Sequence, residues 1–212
     1  MDSRFPGLTR LDHPLIARDL TIVRDRATPT HSFRAALGRI ATILAYRALE
    51  DLPLRERPVQ TPIQTTLGHE IDRDLVVVPI LRAGLSLVDA ILEFVPGAKV
   101  GHLGMYRDEA THDPVPYYSK LPGGLSKSLV LLVDPMLATG GSADDAIRYL
   151  KKSGAQEIRF ICLIAAPEGI ERIQTAHPEV PILTAAVDER LNEQAFIVPG
   201  LGDAGDRFFG TE

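Results

Sequence analysis

The densest run of chemistry-bearing residues in this 212-residue sequence is Asp134, Pro135, Met136, Leu137, Ala138, Thr139, Gly140, Gly141 and Ser142, directly after the apolar run Val130, Leu131, Leu132 and Val133. The pattern predicts a buried strand that ends in an acid, then turns through small and hydroxylated residues into a helix. Gly140 and Gly141 permit backbone conformations that aim successive N–H groups inward, Thr139 and Ser142 add hydroxyl donors, and the helix start adds partial positive charge. Together these groups suit a phosphate. Asp134 at the strand tip suits a ribose hydroxyl or a hydrated Mg²⁺.

Other candidate anion-binding and base-binding groups are spread along the chain. Arg82, in Pro79-Ile80-Leu81-Arg82-Ala83-Gly84, follows another apolar run and can meet a second anionic group with its guanidinium and the loop amides. Arg107 follows Met105 and Tyr106, and is open to two readings: an anion ligand, or a surface ion pair with Asp108 or Glu109. Near the end, Gly200-Leu201-Gly202-Asp203-Ala204-Gly205 matches G-x-G-x-x-G, yet only seven residues follow it, leaving no room for the βαβ unit and distant acid of a dinucleotide site. The same small residues let the main chain approach a flat heterocycle whose edge reads acceptor, donor, acceptor. A mismatched base would then leave buried groups unpaired at about 1–3 kcal/mol each.

Several familiar chemistries find no support. His13, His31, His69, His102, His112 and His177 show no spacing suited to a structural metal. Lys127-Ser128 lacks the preceding glycine of a Walker loop, and Ser86 lacks the second glycine of a nucleophile elbow. Cys162 sits in the apolar run Phe160, Ile161, Leu163, Ile164 and reads as a buried, inert thiol. The net charge of −5 argues against a nucleic-acid surface. Met1, Asp2, Ser3 and Arg4 do not read as a secretory leader, and no apolar run approaches the roughly 18 residues of a membrane helix. A cytoplasmic protein with small-molecule partners is expected.

The elements that must position these residues follow from periodicity. Apolar spacings of three and four, such as Leu37, Ile40, Ala41 and Leu44, predict helices over 12–25 and 30–51. Short β-branched runs predict buried strands at 75–80, 129–133, 158–166 and 182–187, separated by helices at about 84–95, 142–152 and 168–176. This alternation implies an α/β fold with a mostly parallel central sheet flanked by helices, and ligands in such sheets bind beyond the carboxyl ends of the strands. From 106 to 125 prolines and glycines break the pattern around Tyr117 and Tyr118, consistent with a projecting hairpin or an irregular surface loop.

The run from Val130 to Ser142 resembles the phosphoribosyl pyrophosphate (PRPP) signature of the type I phosphoribosyltransferases: four apolar residues, two acids, three variable residues, Thr-Gly and two small residues. Pro135 replaces the second acid, which is similar to the uracil-specific branch and weakens direct metal binding. The tail from Phe196 to Asp206 also resembles that branch. The resemblance, from about residue 14 onward, implies a uracil phosphoribosyltransferase that makes UMP and pyrophosphate, with Mg²⁺ carried by PRPP. It implies one domain over 1–212: N-terminal helices at about 12–52, a core at about 70–190 with a β-arm at about 108–122, and a base-binding tail at about 191–212, the terminal segments forming a small hood.

By the same resemblance Arg82, Arg107, residues Asp134 to Ser142 and Asp203 bind PRPP, while Ile197, Gly202, Asp203 and Ala204 hold uracil. Asp134, Arg107 and Asp203 are the implied catalytic group. The loop at Arg82 resembles the family's pyrophosphate loop, often held in a non-proline cis form. A homodimer or higher assembly and a GTP or CTP effector are further implications. The alternatives are a phosphoribosyltransferase for another base, and a non-catalytic regulator that binds UMP and RNA.

Overall fold

The computed structural model describes residues 4–107 and 114–211, and their side chains apart from 105–107 and 114–116. In chain order the elements are β1 (Leu8–Arg10), α1 (Pro14–Arg24), α2 (Thr30–Ala48), β2 (Leu54–Gln60), β3 (Thr65–Ile71), β4 (Asp74–Pro79), α3 (Leu85–Phe94), β5 (Lys99–Val100), β6 (His102–Arg107), β7 (Pro114–Lys120), a 3-10 turn (Leu125–Lys127), β8 (Ser128–Val133), β9 (Met136–Leu137), α4 (Gly141–Lys152), β10 (Glu157–Ala165), α5 (Pro167–Ala176), β11 (Ile182–Val187), β12 (Arg190–Leu191), β13 (Ile197–Val198) and α6 (Ala204–Phe209).

The central sheet runs β1-β11-β10-β8-β4-β5, with β9 added on β10, and every pairing is parallel. The register aligns Val78 with Leu132, Leu132 with Phe160 and Phe160 with Ile182, so successive strands end close together. Because side chains alternate across a strand, Val77, Leu131 and Ile161 enter the core shared with α1, α2 and α3, while Val76, Val78, Val130 and Phe160 enter the core under α4 and α5. Both faces are covered, which is why these strands read as unbroken apolar runs.

α2 buries Phe33, Leu37, Ile40 and Leu44, spaced three and four apart, against this sheet. Each contributes about 1.5–3 kcal/mol of apolar burial. α1 is capped by His13, whose Nδ1 accepts from the Leu15 N–H at 3.1 Å, with Pro14 in the first turn. It is fastened to α2 through Asp19, whose buried carboxylate accepts from Arg39 at 2.8 and 2.9 Å and from Arg18 at 3.0 Å. Burial alone would raise that carboxyl, but hydrogen bonds and charge from Arg39 and Arg18 together hold it below the ordinary range.

The structure adds elements that the sequence pattern did not announce. In the chain, between α2 and β4, comes the antiparallel hairpin β2–β3, from the Leu54↔Ile71 pair to Gln60↔Thr65. It is exposed along most of both strands and carries Pro58, so neither apolar alternation nor strand propensity marks it. Arg55 and Arg57 pair with Glu70 across it. The break around 106–125 resolves as a hairpin, since β6 pairs antiparallel with β7, His102 opposite Lys120 and Arg107 opposite Pro114. This arm starts before the expected 108, because alternation in His102 to Arg107 is masked by Gly104; residues 108–113, including the Asp108 and Glu109 partners considered for Arg107, lie outside the described residues. No helix among the described residues is long and apolar enough to cross a membrane.

Candidate active site

β8 delivers Asp134 to the carboxyl end of the sheet, where the Asp134 N–H donates to the Ile161 carbonyl at 3.1 Å. The following residues are not a free loop at once. Met136 and Leu137 form β9, and the carbonyls of Pro135 and Leu137 accept from Leu163, Ile164 and Ala166. Leu137 points into the core. Met136 stays half-buried beside Asp134, and past β9 the chain turns through Ala138, Thr139, Gly140, Gly141 and Ser142 into α4. Gly140, at φ +76°, caps α4, and its carbonyl accepts the Asp144 N–H at 2.9 Å. Thr139 and Ser142 are exposed while Gly140 and Gly141 are buried, so hydroxyls and amides of this turn surround the start of α4.

A charged network braces the turn from beneath. Asp144, in the first turn of α4, accepts from Arg148 at 2.7 Å, from Arg172 at 3.0 and 3.2 Å, and pairs with His177 Nε2 at 3.0 Å. Burial would raise the Asp144 carboxyl, but Arg172, Arg148 and His177 hold it below the ordinary carboxylate range. Lys151 lies 2.7 Å from His177 Nδ1, and the tautomer with its proton on Nε2 donates to Asp144 and accepts from Lys151.

β4 delivers the second loop. The Leu81–Arg82 peptide is cis. The Leu81 N–H donates to the Leu103 carbonyl at 2.9 Å, which sets the root of β6 beside this loop and brings the strand ending in Arg107 to the same side of the sheet. Gly84 is required there: a Cβ would lie 2.5 Å from the Val133 carbonyl oxygen. Arg82 is exposed and reaches Asp206 at 3.5 Å, so the loop already faces the C-terminal tail. Of Arg107, the backbone pairing with Pro114 is what the structure describes.

The tail arrives through the antiparallel pair β12–β13, joined by a turn in which the Asn192 side chain accepts from the Gln194 and Phe196 N–H groups. Antiparallel strands before the glycines exclude a dinucleotide fold on topology, although a helix, α6, does open after Gly202. Asp203 caps it, accepting the Asp206 N–H at 2.9 Å. Among the described residues the N–H groups of Gly202, Asp203 and Ala204 have no protein partner, so this main chain is available to a ligand edge.

Asp134 with the first residues after it, Ala83 of the second loop and the tail close on one cleft of 220 Å³, lined by Ala83, Asp134, Met136, Ala138, Ala195, Phe196, Ile197, Gly202, Asp203, Ala204 and Gly205; Arg82 and Thr139 to Ser142 stand outside this lining. Residues separated by some 70 positions thus share one surface. Desolvation pushes the Asp134 carboxyl up to about 7, a hydrogen bond from the Met136 N–H opposes this, and the negative charge of Asp203 adds to it. A larger cavity of 410 Å³ lies elsewhere, at the start of β10. Its cations Arg47, Lys151 and Arg159 are already paired with Glu50, Glu179 and Asp51, so it offers a ligand little.

Ala195, one residue before the tail segment Phe196 to Asp206 that the sequence marks, lines the cleft as well. Ala195 adopts φ +62° in the turn set by Asn192, whose side chain holds the backbone on both sides of it; Asn192 is the turn-forming residue the sequence offers there. Cys162 is fully buried, and burial pushes its thiol up to about 12.

A family model described as uracil phosphoribosyltransferase matches residues 10–211. The chain is 52% identical to a protein named uracil phosphoribosyltransferase from Salinibacter ruber, covering 97% of this chain and 98% of that one, and 55% identical to one from Bacillus licheniformis, covering 95% and 97%. It superposes on the AQ2163 protein of Aquifex aeolicus with a TM-score of 0.88 at 42% identity, over 95% of this chain and 97% of that one. An adenine phosphoribosyltransferase from Trypanosoma brucei shares the fold at 13% identity and a TM-score of 0.60, over 93% and 89%. The chain is a member of the uracil phosphoribosyltransferase family.

Proposed function

We propose that this protein transfers phosphoribose from PRPP to N1 of uracil, giving UMP and pyrophosphate in pyrimidine salvage, within one phosphoribosyltransferase domain over 1–212. The observation that carries the site map is the single cleft that joins Asp134 to Gly202, Asp203 and Ala204. The anomeric carbon breaks its bond to the pyrophosphate oxygen and forms one to N1 with inversion, and the N1 proton passes to the departing pyrophosphate or to water. The turn from Ala138 to Ser142 holds the 5-phosphate by amides and hydroxyls, and Asp134 orients the ribose and favours positive charge developing on it. Arg82 and Arg107 balance charge on the leaving group. Ile197 and the unpaired amides beside Gly202 take the base edge, and Asp203 stands between base and donor.

The two acids Asp134 and Asp203 on one cleft fit a cation brought in with the donor, since the charge of Asp203 raises the cost of ionising Asp134. Mg²⁺ supplies charge neutralisation on the pyrophosphate when bound; Asp134 and Asp203 would face its hydration shell. An assembly of two or more copies is supported by the exposed Leu54, Ile63, Leu67 and Ile71 of the β2–β3 hairpin. A cytoplasmic location is part of the same proposal, and a GTP or CTP effector rests on the family resemblance alone.

The test is pyrophosphate release from PRPP with uracil, cytosine, adenine, hypoxanthine and orotate offered separately. Uracil alone should support rapid release. Preference for a purine or orotate would overturn the base assignment, and release with no base would overturn the site map.

A further inference from the structure

The base-facing segment does not hold itself in place. Arg24, the last residue of α1, grips the Asp188 carboxylate with two nitrogens, Nη2 to Oδ1 at 2.6 Å and Nη1 to Oδ2 at 2.8 Å. The same Nη1 donates to the Gly200 carbonyl at 2.8 Å, and the Gly200 N–H donates to Asp188 Oδ2 at 2.8 Å. Both polar groups of Gly200 are thus held in one closed ring of charge-assisted hydrogen bonds. Asp188 is itself fixed, because its N–H donates to the Ala165 carbonyl at 2.9 Å at the end of β10. Its side chain is 4% exposed.

Movement at Gly200 cannot be absorbed locally. It has φ +62°, and a Cβ there would lie 2.1 Å from the Ile197 carbonyl oxygen, so the chain doubles back tightly on a residue of the cleft. Two residues further on, Gly202 lines the same cleft. On the far side Arg207 donates to the Leu201 carbonyl at 2.8 Å, to the Asp25 carbonyl at 2.6 Å and to the Val23 carbonyl, with its guanidinium 4.4 Å from the Phe33 ring. The segment that reads the base is therefore fastened to the carboxyl end of α1, a helix outside the sheet that positions Asp134, by Arg24 of α1 itself and by Arg207 of α6. Neither Arg24 nor Asp188 lines the cleft.

We propose that the Arg24–Asp188 pair is a positioning device for acceptor-base recognition, setting affinity and selectivity for the base while leaving donor binding alone. The inference rests on the assignment of residues 197–204 to the base given above. Buried groups in a hydrogen-bond ring transmit a displacement of tenths of an ångström, and base selection by main-chain amides is sensitive to displacements of that order.

The full-length protein, Asp188→Asn and Arg24→Lys are compared with uracil varied at saturating PRPP, with PRPP binding followed by calorimetry, and with cytosine and thymine as competing acceptors. Asp188→Asn keeps the shape and removes the charge; Arg24→Lys keeps the charge and removes the two-pronged grip. The expected result is a KM for uracil raised roughly tenfold to a hundredfold, weaker discrimination against the other bases, and a PRPP dissociation constant within about twofold of the parent. A double variant no worse than the worse single one shows that the two residues act as one unit. Should Asp188→Asn not fold, Arg24→Lys decides the matter alone. Unchanged uracil KM in a folded variant overturns the proposal, as does a parallel loss of uracil and PRPP affinity that tracks thermal destabilisation. A parent protein that turns over PRPP with a different base instead refutes the base assignment, a result visible before any variant is made.

Discussion

Asp134→Asn separates stability from function, and its effect can be worked from the structure. Desolvation and the charge of Asp203 raise this carboxyl from 3.8 to about 7 in the folded protein. A folded pKa above the unfolded one means that, between those two values, the folded state keeps a proton that the unfolded chain has released. The stability of the parent therefore declines as pH rises from about 4 to about 7, then levels off. At 1.36 kcal/mol for each tenfold change in proton affinity, the ceiling is about 4 kcal/mol, and the opening of Asp134 toward the cleft brings the effect below it. Asparagine keeps an oxygen for the Met136 N–H and has no proton to lose. The variant should match the parent near pH 4 and exceed it above pH 7, by several degrees of melting temperature at about 2–4 °C per kcal/mol for a chain of this size. Catalytic efficiency should fall, since the ribose hydroxyls lose their charged acceptor. Circular dichroism melts of both proteins at pH 4, 5, 6, 7 and 8 are the assay. Melting curves that run parallel across this range, or a variant that is less stable at pH 8, would refute the electrostatic reasoning.

Asp203→Asn retains the capping oxygen for α6 while removing the charge that raises Asp134. The midpoint of the parent's pH-dependent stability should move toward lower pH in this variant, read from the same melts. Asp144→Asn weakens the brace under α4; because Arg148 and Arg172 both reach solvent, the loss should be about 1–2 kcal/mol rather than that of a fully buried pair. The depressed Asp144 carboxyl stabilises above its unfolded pKa of 3.8, so this difference should disappear in denaturant titrations as pH falls below that value and through the folded one. Arg82→Gln gives up only an exposed contact to Asp206, so stability should stay within about 0.5 kcal/mol while the PRPP KM rises at least severalfold in initial-rate measurements. Gly200→Ala meets the Ile197 carbonyl and a left-handed backbone at once, and a loss of at least about 1–2 kcal/mol in urea unfolding is expected.

The parallel sheet was legible in the sequence because strands buried on both faces leave contiguous apolar runs such as Leu75 to Val78 and Leu129 to Val133, and a chemical motif must begin where such a run ends. The turn from Ala138 into α4 was legible for the same local reason: its glycines, hydroxyls and helix start are neighbours in the chain. The β2–β3 hairpin left no trace because its side chains meet solvent on both faces, and no burial imposes a period on Leu54 to Gln60. Proximity was decided only by the tertiary structure. That Asp134 and Asp203 share one cleft, that the charge of one raises the other, and that Arg24 and Asp188 hold Gly200 between them, depend on contacts across 69, 164 and 176 positions. Residue types name the chemistry available to a chain. Coulomb forces, desolvation and hydrogen bonds act through space, and only the folded chain sets those distances.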